Sequence, residues 1–189
     1  ENVQKTLLLL QAFGASIVYS GSIWHSLLDF YGRLRFRYPG AFFVESGGAS
    51  ELGVLGTVNA VLELKEQINQ NQIPEPDIIV VPTASNGGFA GLILGCALCG
   101  LKTSIMGVRT GRSRLGPLAL NTPGTVQRKV QKTYSLLRQN EAKIPDLSFA
   151  DPIMIGDYFG GSYGIPTEAG KRATETFKRN HGILLEPVY

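Results

Sequence analysis

The chain has 189 residues, a net charge of +3 at pH 7, 43% hydrophobic and 17% charged residues. This composition supports a buried core, excludes an intrinsically disordered chain and suits one large domain or two small ones. The basic residues are scattered without a nucleic-acid-binding motif, and no apolar run reaches the roughly 18 residues that a membrane span needs. We therefore expect a cytoplasmic protein with no nucleic-acid or membrane partner.

The first part of the chain predicts two helices and two short strands. Residues 2–13 have a helical pattern that ends at Gly14, and the apolar run at 15–20 predicts a strand. A helix-like segment follows at 22–38, before Pro39 and Gly40, and a second apolar strand is predicted at 41–46. We assign residues 1–45 to part of a smaller lobe and residues 46–189 to the main lobe.

Strands and helices alternate through the rest of the chain. Helical patterns occupy residues 57–72 and 89–99, begin again near 122–125, and return at 166–182. The strands predicted at 77–82 and 103–110 are continuous apolar runs rather than alternating ones. Such runs are typical of buried parallel strands, so we expect an α/β protein with an open, mostly parallel sheet and helices on both faces.

The junction between the strand at 77–82 and the following helix is rich in small residues. Small residues expose backbone N–H groups at the carboxyl end of a strand, where the positive end of the next helix also points. The segment has neither a Walker lysine nor a complete G-x-G-x-x-G, so a single phosphate monoester fits better than ATP or a dinucleotide. The alternative is an ordinary strand-to-helix turn with an Asn-Gly bend. The candidate ligand-binding residues are Ala84, Ser85, Asn86, Gly87 and Gly88, with side-chain donors at Ser85 and Asn86.

A second glycine loop, Ser46, Gly47 and Gly48, follows the strand predicted at 41–46. It predicts either a backbone wall beside the ligand or a plain loop with a helix cap at Ser50. The two cysteines, Cys96 and Cys99, lie in an apolar helical pattern, and we interpret them as structural rather than redox-active or metal-binding. No metal-ligand spacing is present, and neither histidine has an acidic partner in a motif.

Three segments together resemble one enzyme family. They are ESGGASELGVLG at 45–56, VVPTASNGGFAGLILG at 80–95, and DYFGGSYGIPTEAGKRATETFKRNHGILLEPVY at 157–189. In this order they resemble the 1-aminocyclopropane-1-carboxylate (ACC) deaminase and D-cysteine desulfhydrase family, which has the tryptophan synthase β-like fold and uses pyridoxal 5'-phosphate (PLP). The resemblance implies a small amino-acid substrate, a homodimer in the full-length protein, and a main lobe that binds the cofactor.

The resemblance also implies roles for particular residues. Residues 84–88 would hold the cofactor phosphate, although Gly88 stands where the family usually has Ser or Thr, and Asn86 where many members have Gly. Tyr189 matches the tyrosine of the family's PVY motif and is the candidate catalytic residue. The loop 46–48 and Tyr163 are the candidate substrate-binding residues.

One essential family residue has no counterpart in this sequence. The family forms a Schiff base between the cofactor and a lysine in an NKxRK-type segment, and no such segment occurs here. We therefore expect these residues to be the middle of a longer enzyme and to be inactive by themselves. Two alternatives stay open: a non-catalytic phosphate-ligand-binding domain, and an unrelated α/β protein that binds a phosphate such as a sugar phosphate.

Overall fold

A computed structural model describes residues 2–141, 143–162 and 164–186. The chain folds into two compact units, residues 1–43 and 44–189. Among the described residues, no helix combines the length and the apolar character needed to cross a membrane.

The first unit consists of helices. Helix α1 spans Asn2–Ala12, helix α2 spans Ile23–Leu28, a π-helical turn spans Asp29–Arg33, and α3 spans Leu34–Arg37. The helical predictions are confirmed here, but the predicted strands at 15–20 and 41–46 are wrong. A strand needs a hydrogen-bonded neighbour, and neither segment pairs with another among the described residues, so β-propensity alone does not make them strands.

The second unit contains a parallel sheet. Strands β1 (Ile78–Thr83), β2 (Ser104–Arg109) and β5 (Ile153–Ile155) lie in the order β1-β2-β5, and both pairs are parallel. The parallel sheet predicted from continuous apolar strands is therefore confirmed. A two-stranded antiparallel hairpin, β3 (Arg114–Leu115) and β4 (Leu118–Ala119), follows β2 and was not predicted.

Helices α4 (Glu51–Asn69), α5 (Gly87–Cys99) and α6 (Pro123–Asn140) pack together, and α5 contacts both β1 and β2. Ile79 and Val81 of β1 pack against this core, whereas the alternating Ile78 and Val80 are 54% and 60% exposed. We expected helices on both faces of the sheet, but no described helix buries Ile78 and Val80 on this second face. The most buried large apolar side chains of the core are Val54, Val61, Phe89, Leu94, Val126 and Val130.

Glycines let α4 and α5 approach closely. A Cβ atom built at Gly95 would lie 2.6 Å from Cβ of Val61, and one built at Gly91 would lie 2.5 Å from Cβ of Thr57. Such distances are shorter than atomic contacts allow, so a side chain at either position would push the two helices apart. The near-continuous apolar surface of α5 is thus fitted to α4 by its small residues.

Side-chain caps begin the helices that frame the carboxyl edge of the sheet. Thr122 accepts a hydrogen bond from the N–H of Thr125, whose own hydroxyl accepts from the N–H of Thr122, and Pro123 occupies the first turn of α6. Helix α7 (Glu168–His181) is capped by Thr167 and ends at Gly182, whose φ is +69°. The sequence predictions of both helix starts are confirmed.

Candidate functional site

A pocket of about 450 Å³ lies where β1 ends and α5 begins. We call it the glycine-loop pocket. Its lining includes residues of both glycine loops singled out from the sequence, although the loops are more than thirty residues apart in the chain; Gly48 and Gly87 are not among the lining residues. The lining residues are Ser46, Gly47, Pro82, Thr83, Ala84, Ser85, Asn86, Gly88 and Phe89.

Backbone N–H groups without acceptors are found where the loop at 84–88 enters α5. The first helical hydrogen bond of α5 runs from the N–H of Ala90 to the carbonyl of Asn86, at 3.0 Å. The N–H groups of residues 84–89 have no acceptor among the described residues. They lie at the positive end of a 13-residue helix, so their arrangement favours an anion.

Asn86 fixes the conformation of the loop from behind. Its φ is +68°, it is only 2% exposed, and its side-chain amide donates to the carbonyl of Leu120 at 2.9 Å and to Oγ1 of Thr125 at 3.0 Å. Its Oδ1 accepts a hydrogen bond from the hydroxyl of Thr83 at 2.9 Å. The side-chain donor that we expected to face a ligand is therefore directed to the start of α6, and only the backbone N–H of Asn86 remains for one.

Asn121 ties the end of β1 to the same region. It is fully buried, and its Nδ2 donates to the carbonyl of Thr83 at 2.6 Å, a carbonyl that also accepts from the N–H of Thr110 at 3.0 Å. Together, Asn86 and Asn121 join the end of β1, the loop and the start of α6 into one hydrogen-bonded unit. Such a preformed loop binds a ligand at a smaller cost in conformational entropy.

The side of the glycine-loop pocket opposite the loop at 84–88 is formed by the turn of 3₁₀-helix at Ser46–Gly48. Gly47 has a φ of +70°, and a Cβ atom built there would lie 2.6 Å from both Cβ and Oγ of Ser85. Only glycine therefore allows the two loops to come this close. Lys129 of α6 holds the segment in place, because its Nζ donates to the carbonyl of Ala49 at 2.5 Å and lies 3.7 Å from a carboxylate oxygen of Glu45.

A second cavity, of about 610 Å³, lies at the carboxyl end of the neighbouring strand β2. We call it the carboxyl-edge cavity. The sheet register pairs Thr83 with Arg109, so the two cavities are found at the ends of adjacent parallel strands. Ser162 and Gly164 line the carboxyl-edge cavity, but Tyr163 and Tyr189 lie outside the described residues.

Lys171 is the lysine that lines the carboxyl-edge cavity. Its Nζ lies 2.7 Å from Oε1 of Glu168, and this hydrogen bond and the carboxylate charge raise the pKa of the lysine. A lysine that attacks an aldehyde needs a lowered pKa, so this environment acts in the wrong direction. Among the described residues, the lining of the glycine-loop pocket includes no lysine.

The cysteines lie in a different environment. Cys96 is buried, and burial raises the pKa of its thiol to about 11, while burial also raises the pKa of Cys99. Both are free thiols. These raised pKa values favour the structural interpretation, because a reactive or metal-binding cysteine needs a stabilised thiolate. The described residues contain no group of three metal-ligating side chains.

The residues that sequence reasoning missed are the ones that hold the loops. Asn121, Thr125 and Lys129 contact the loop segments from positions 38 to 80 residues away in the chain. The capping pattern at Thr122–Thr125 predicts a helix start, but nothing in it indicates that this start supports the loop at 84–88.

Comparisons with known proteins show what this chain is similar to. The sequence profile of the family described as "Pyridoxal-phosphate dependent enzyme" matches residues 2–189. The chain is 30% identical over 186 residues to D-cysteine desulfhydrase of Serratia proteamaculans, a match that covers 96% of this chain and 52% of that protein. It is 28% identical over 148 residues to D-cysteine desulfhydrase of Salmonella paratyphi B, a match that covers 78% of this chain and 41% of that protein.

A solved structure supports the fold. The crystal structure of an ACC deaminase homologue superposes with a TM-score of 0.73 and 25% sequence identity, over 96% of this chain and 52% of that one. The chain thus spans about half the length of these relatives. The resemblance seen in the three sequence segments and the predicted fold class are confirmed. The chain belongs to the family of pyridoxal-phosphate-dependent enzymes.

Proposed function

We propose that the glycine-loop pocket binds the phosphate of PLP, and that the protein to which this chain belongs is a PLP-dependent lyase or deaminase. Its substrate would be a small amino acid such as D-cysteine or 1-aminocyclopropane-1-carboxylate. The products would be ammonia and a 2-oxo acid, with sulfide when the substrate is D-cysteine. The row of backbone N–H groups without acceptors at residues 84–89, at the start of α5, carries the proposal.

The residues present fit the phosphate of PLP. Ala84, Ser85, Asn86 and Gly88 line the pocket and have backbone N–H groups without an acceptor among the described residues. Ser85 adds a hydroxyl, and Gly47 lets the second loop come close. A phosphate dianion matches this donor set and the positive end of α5. When bound, PLP supplies an electron sink for the carbanion formed at the substrate carbon. The chain's own contribution is to hold the phosphate and to keep the loop in one conformation.

The lysine that binds the cofactor covalently is not supplied by this chain in our proposal. Lys171 has a raised pKa and an ion-pair partner, and the glycine-loop pocket has no lysine among its described lining residues. We therefore propose that these 189 residues bind PLP without a covalent bond and do not turn over substrate. Tyr189 stays the candidate catalytic residue, and Ser46, Gly47, Gly48 and Tyr163 stay candidates for substrate binding.

A non-catalytic phosphate-binding role is the second candidate. Gly88 favours it, because this position lines the pocket without the hydroxyl that the family resemblance leads us to expect. A homodimer and a cytoplasmic location remain proposals under either function.

The test compares PLP with pyridoxal, which lacks the phosphate, by titration calorimetry on the 189-residue chain. We expect saturable binding of PLP and much weaker binding of pyridoxal. A Cβ atom built at Gly88 has nothing within 4 Å, so Gly88→Ser adds a hydroxyl without a clash. A hydrogen bond to a charged group contributes about 1.5–3 kcal/mol, so PLP affinity should rise roughly tenfold or more.

Gly124→Ser is the matched control. Gly124 occupies the first turn of α6, and a Cβ atom built there also has nothing within 4 Å. Replacing glycine by serine in a helix can itself stabilise the helix, and Gly124→Ser should show the same gain as Gly88→Ser. Unlike Gly88→Ser, however, Gly124→Ser should leave the affinity for PLP unchanged. Equal affinity for PLP and pyridoxal would contradict the phosphate site. A site-specific mass increase after borohydride reduction with PLP would contradict the proposal that the covalent lysine lies elsewhere.

A further inference from the structure

A further cavity, of about 330 Å³, lies at the opposite edge of the parallel sheet. Its lining includes Ser104 and Ile153, the first residues of β2 and β5, and we therefore call it the amino-edge cavity. Arg109, at the other end of β2, lines the carboxyl-edge cavity. At about 3.3 Å per residue, Ser104 and Arg109 are roughly 16 Å apart. The amino-edge cavity also shares no lining residue with the glycine-loop pocket, so it is separate from the proposed cofactor site.

The buried part of this cavity is apolar. Ile93, Cys96, Ile105 and Pro152 line it and are buried. The buried polar residue of the lining, Thr103, donates a hydrogen bond from its hydroxyl to a backbone carbonyl at 2.8 Å, so its hydroxyl is satisfied without a ligand. Burial raises the pKa of the Cys96 thiol to about 11, so the thiol is uncharged at neutral pH. An uncharged, apolar surface of this kind favours a ligand with a hydrocarbon body.

Two opposite charges lie at the exposed part of the same lining. Lys102 precedes β2 and Asp151 precedes β5, and both residues are exposed. Neither side chain forms a hydrogen bond or an ion pair with any other described residue. A further carboxylate, that of Glu75, accepts a hydrogen bond from the backbone N–H of Lys102 at 2.5 Å, but Glu75 does not line the cavity. The lining thus presents one unpaired positive charge and one unpaired negative charge beside an apolar surface.

We propose that the amino-edge cavity binds a neutral α-amino acid with an aliphatic side chain. Lys102 pairs with its carboxylate, Asp151 pairs with its ammonium group, and the apolar lining contacts its side chain. A zwitterion satisfies both charges at once, whereas a ligand with a single charge pairs with only one of them. Helix α5, which supplies Cys96 to the lining, ends at Cys99, and the negative end of its dipole favours an ammonium group here. Because neither PLP nor the glycine-loop pocket takes part, this site does not depend on the proposed function.

The experiment is an NMR titration of the 189-residue chain, labelled at the isoleucine δ1-methyl groups, with L-leucine and without PLP. We expect L-leucine to shift the methyl signals of Ile93, Ile105 and Ile153 in a saturable way, and to leave the signal of Ile79, outside the cavity, unchanged. Isoamylamine lacks the carboxylate of leucine, and isocaproate lacks its ammonium group, so each analogue removes one charge pair. Each should bind roughly three- to fivefold more weakly than L-leucine, because pairs with exposed charges contribute little.

Two variants test which side chain pairs with which charge. Lys102→Gln should weaken L-leucine binding roughly three- to fivefold and leave isoamylamine binding unchanged. Asp151→Asn should weaken L-leucine binding to a similar extent and leave isocaproate binding unchanged. Lys143→Gln and Asp157→Asn, at exposed residues outside the lining, are the matched controls and should not change the affinity for L-leucine.

Three results would each overturn the proposal. They are the absence of saturable shifts at Ile93, Ile105 and Ile153, equal affinities of the wild-type chain for L-leucine and both analogues, and unchanged L-leucine binding by folded Lys102→Gln and Asp151→Asn. The analogues are compared on the wild-type chain, so the proposal is tested even if a variant does not fold. Because PLP is absent, these outcomes are separate from the PLP titrations that test the glycine-loop pocket.

Discussion

Replacing Asn86 by Ala should destabilise the chain far more than a loop substitution ordinarily does. The side chain makes three hydrogen bonds, to Thr83, Leu120 and Thr125, and is 2% exposed. At about 1 kcal/mol net for each hydrogen bond, their loss costs roughly 3 kcal/mol of unfolding free energy. Alanine at a φ of +68° adds about 1 kcal/mol, because its Cβ clashes in the left-handed region.

Asn71 provides the matched control. It is also an asparagine at positive φ, +56°, but it is exposed, and its side chain has no hydrogen bond among the described residues. Asn71→Ala should therefore show only the backbone effect, about 1 kcal/mol. Asn86→Gly should lose the same hydrogen bonds without the backbone strain. Its loss of unfolding free energy should therefore be about 3 kcal/mol, at about 1 kcal/mol for each hydrogen bond.

The assay is equilibrium urea unfolding of the wild-type chain and the three variants, with free energies compared at similar m-values. Because only Asn86 makes three side-chain hydrogen bonds, we expect Asn86→Ala to lose about 3 kcal/mol more unfolding free energy than Asn71→Ala. If the two alanine variants were equally stable, the side chain of Asn86 would not support the loop, and the reasoning would be refuted.

Three further predictions concern the contact between α4 and α5, the buried thiol of Cys96 and the hydrogen bond of Lys129. Gly95→Ala should destabilise the chain by about 1–3 kcal/mol in the same urea assay, since its methyl group overlaps Val61; a neutral result would contradict the close approach of α4 and α5. Because burial raises the pKa of Cys96 from 9.0 to about 11, its alkylation at pH 8 should be roughly 100-fold slower in the folded than in the urea-unfolded chain. The buried, protonated thiol of Cys96 should contribute to the free energy of unfolding fully below pH 9, and this contribution should be lost as the pH rises towards 11. Equal alkylation rates in the folded and the unfolded chain would contradict the burial of Cys96. Lys129→Met should cost about 1–2 kcal/mol and weaken PLP binding, whereas Lys132→Met, which breaks only an exposed ion pair, should cost less than about 1 kcal/mol and spare PLP binding.

Local patterns sufficed to predict the parts of the fold whose signals are local. The continuous apolar runs predicted β1 and β2, and the capping residues Thr122 and Thr167 predicted the starts of α6 and α7. The apolar run at 15–20 looked equally strand-like, yet it has no strand partner among the described residues. Strand formation depends on a partner that the run itself does not reveal.

Some features of the candidate site were also predictable from local sequence, and others were not. The small residues at 84–88 and 46–48 pointed to an anion pocket, because glycine density and strand ends are visible in sequence. The hydrogen bonds of Asn86 to Leu120 and Thr125, and the position of Arg109 in the lining of a cavity, depend on how distant segments meet. Asn86 lies in the loop at 84–88 and lines the glycine-loop pocket, but the direction of its side chain could not be predicted from the residues beside it in the sequence.

The most direct test of the phosphate site is a ¹H–¹⁵N NMR titration of the 189-residue chain with PLP and, separately, with pyridoxal. We expect PLP to shift the backbone amide signals of Ser85, Gly87 and Gly88 in a saturable way, while pyridoxal leaves them nearly unchanged. Unchanged amide signals at these residues with PLP, or equal shifts with pyridoxal, would contradict the assignment of the glycine-loop pocket to the cofactor phosphate.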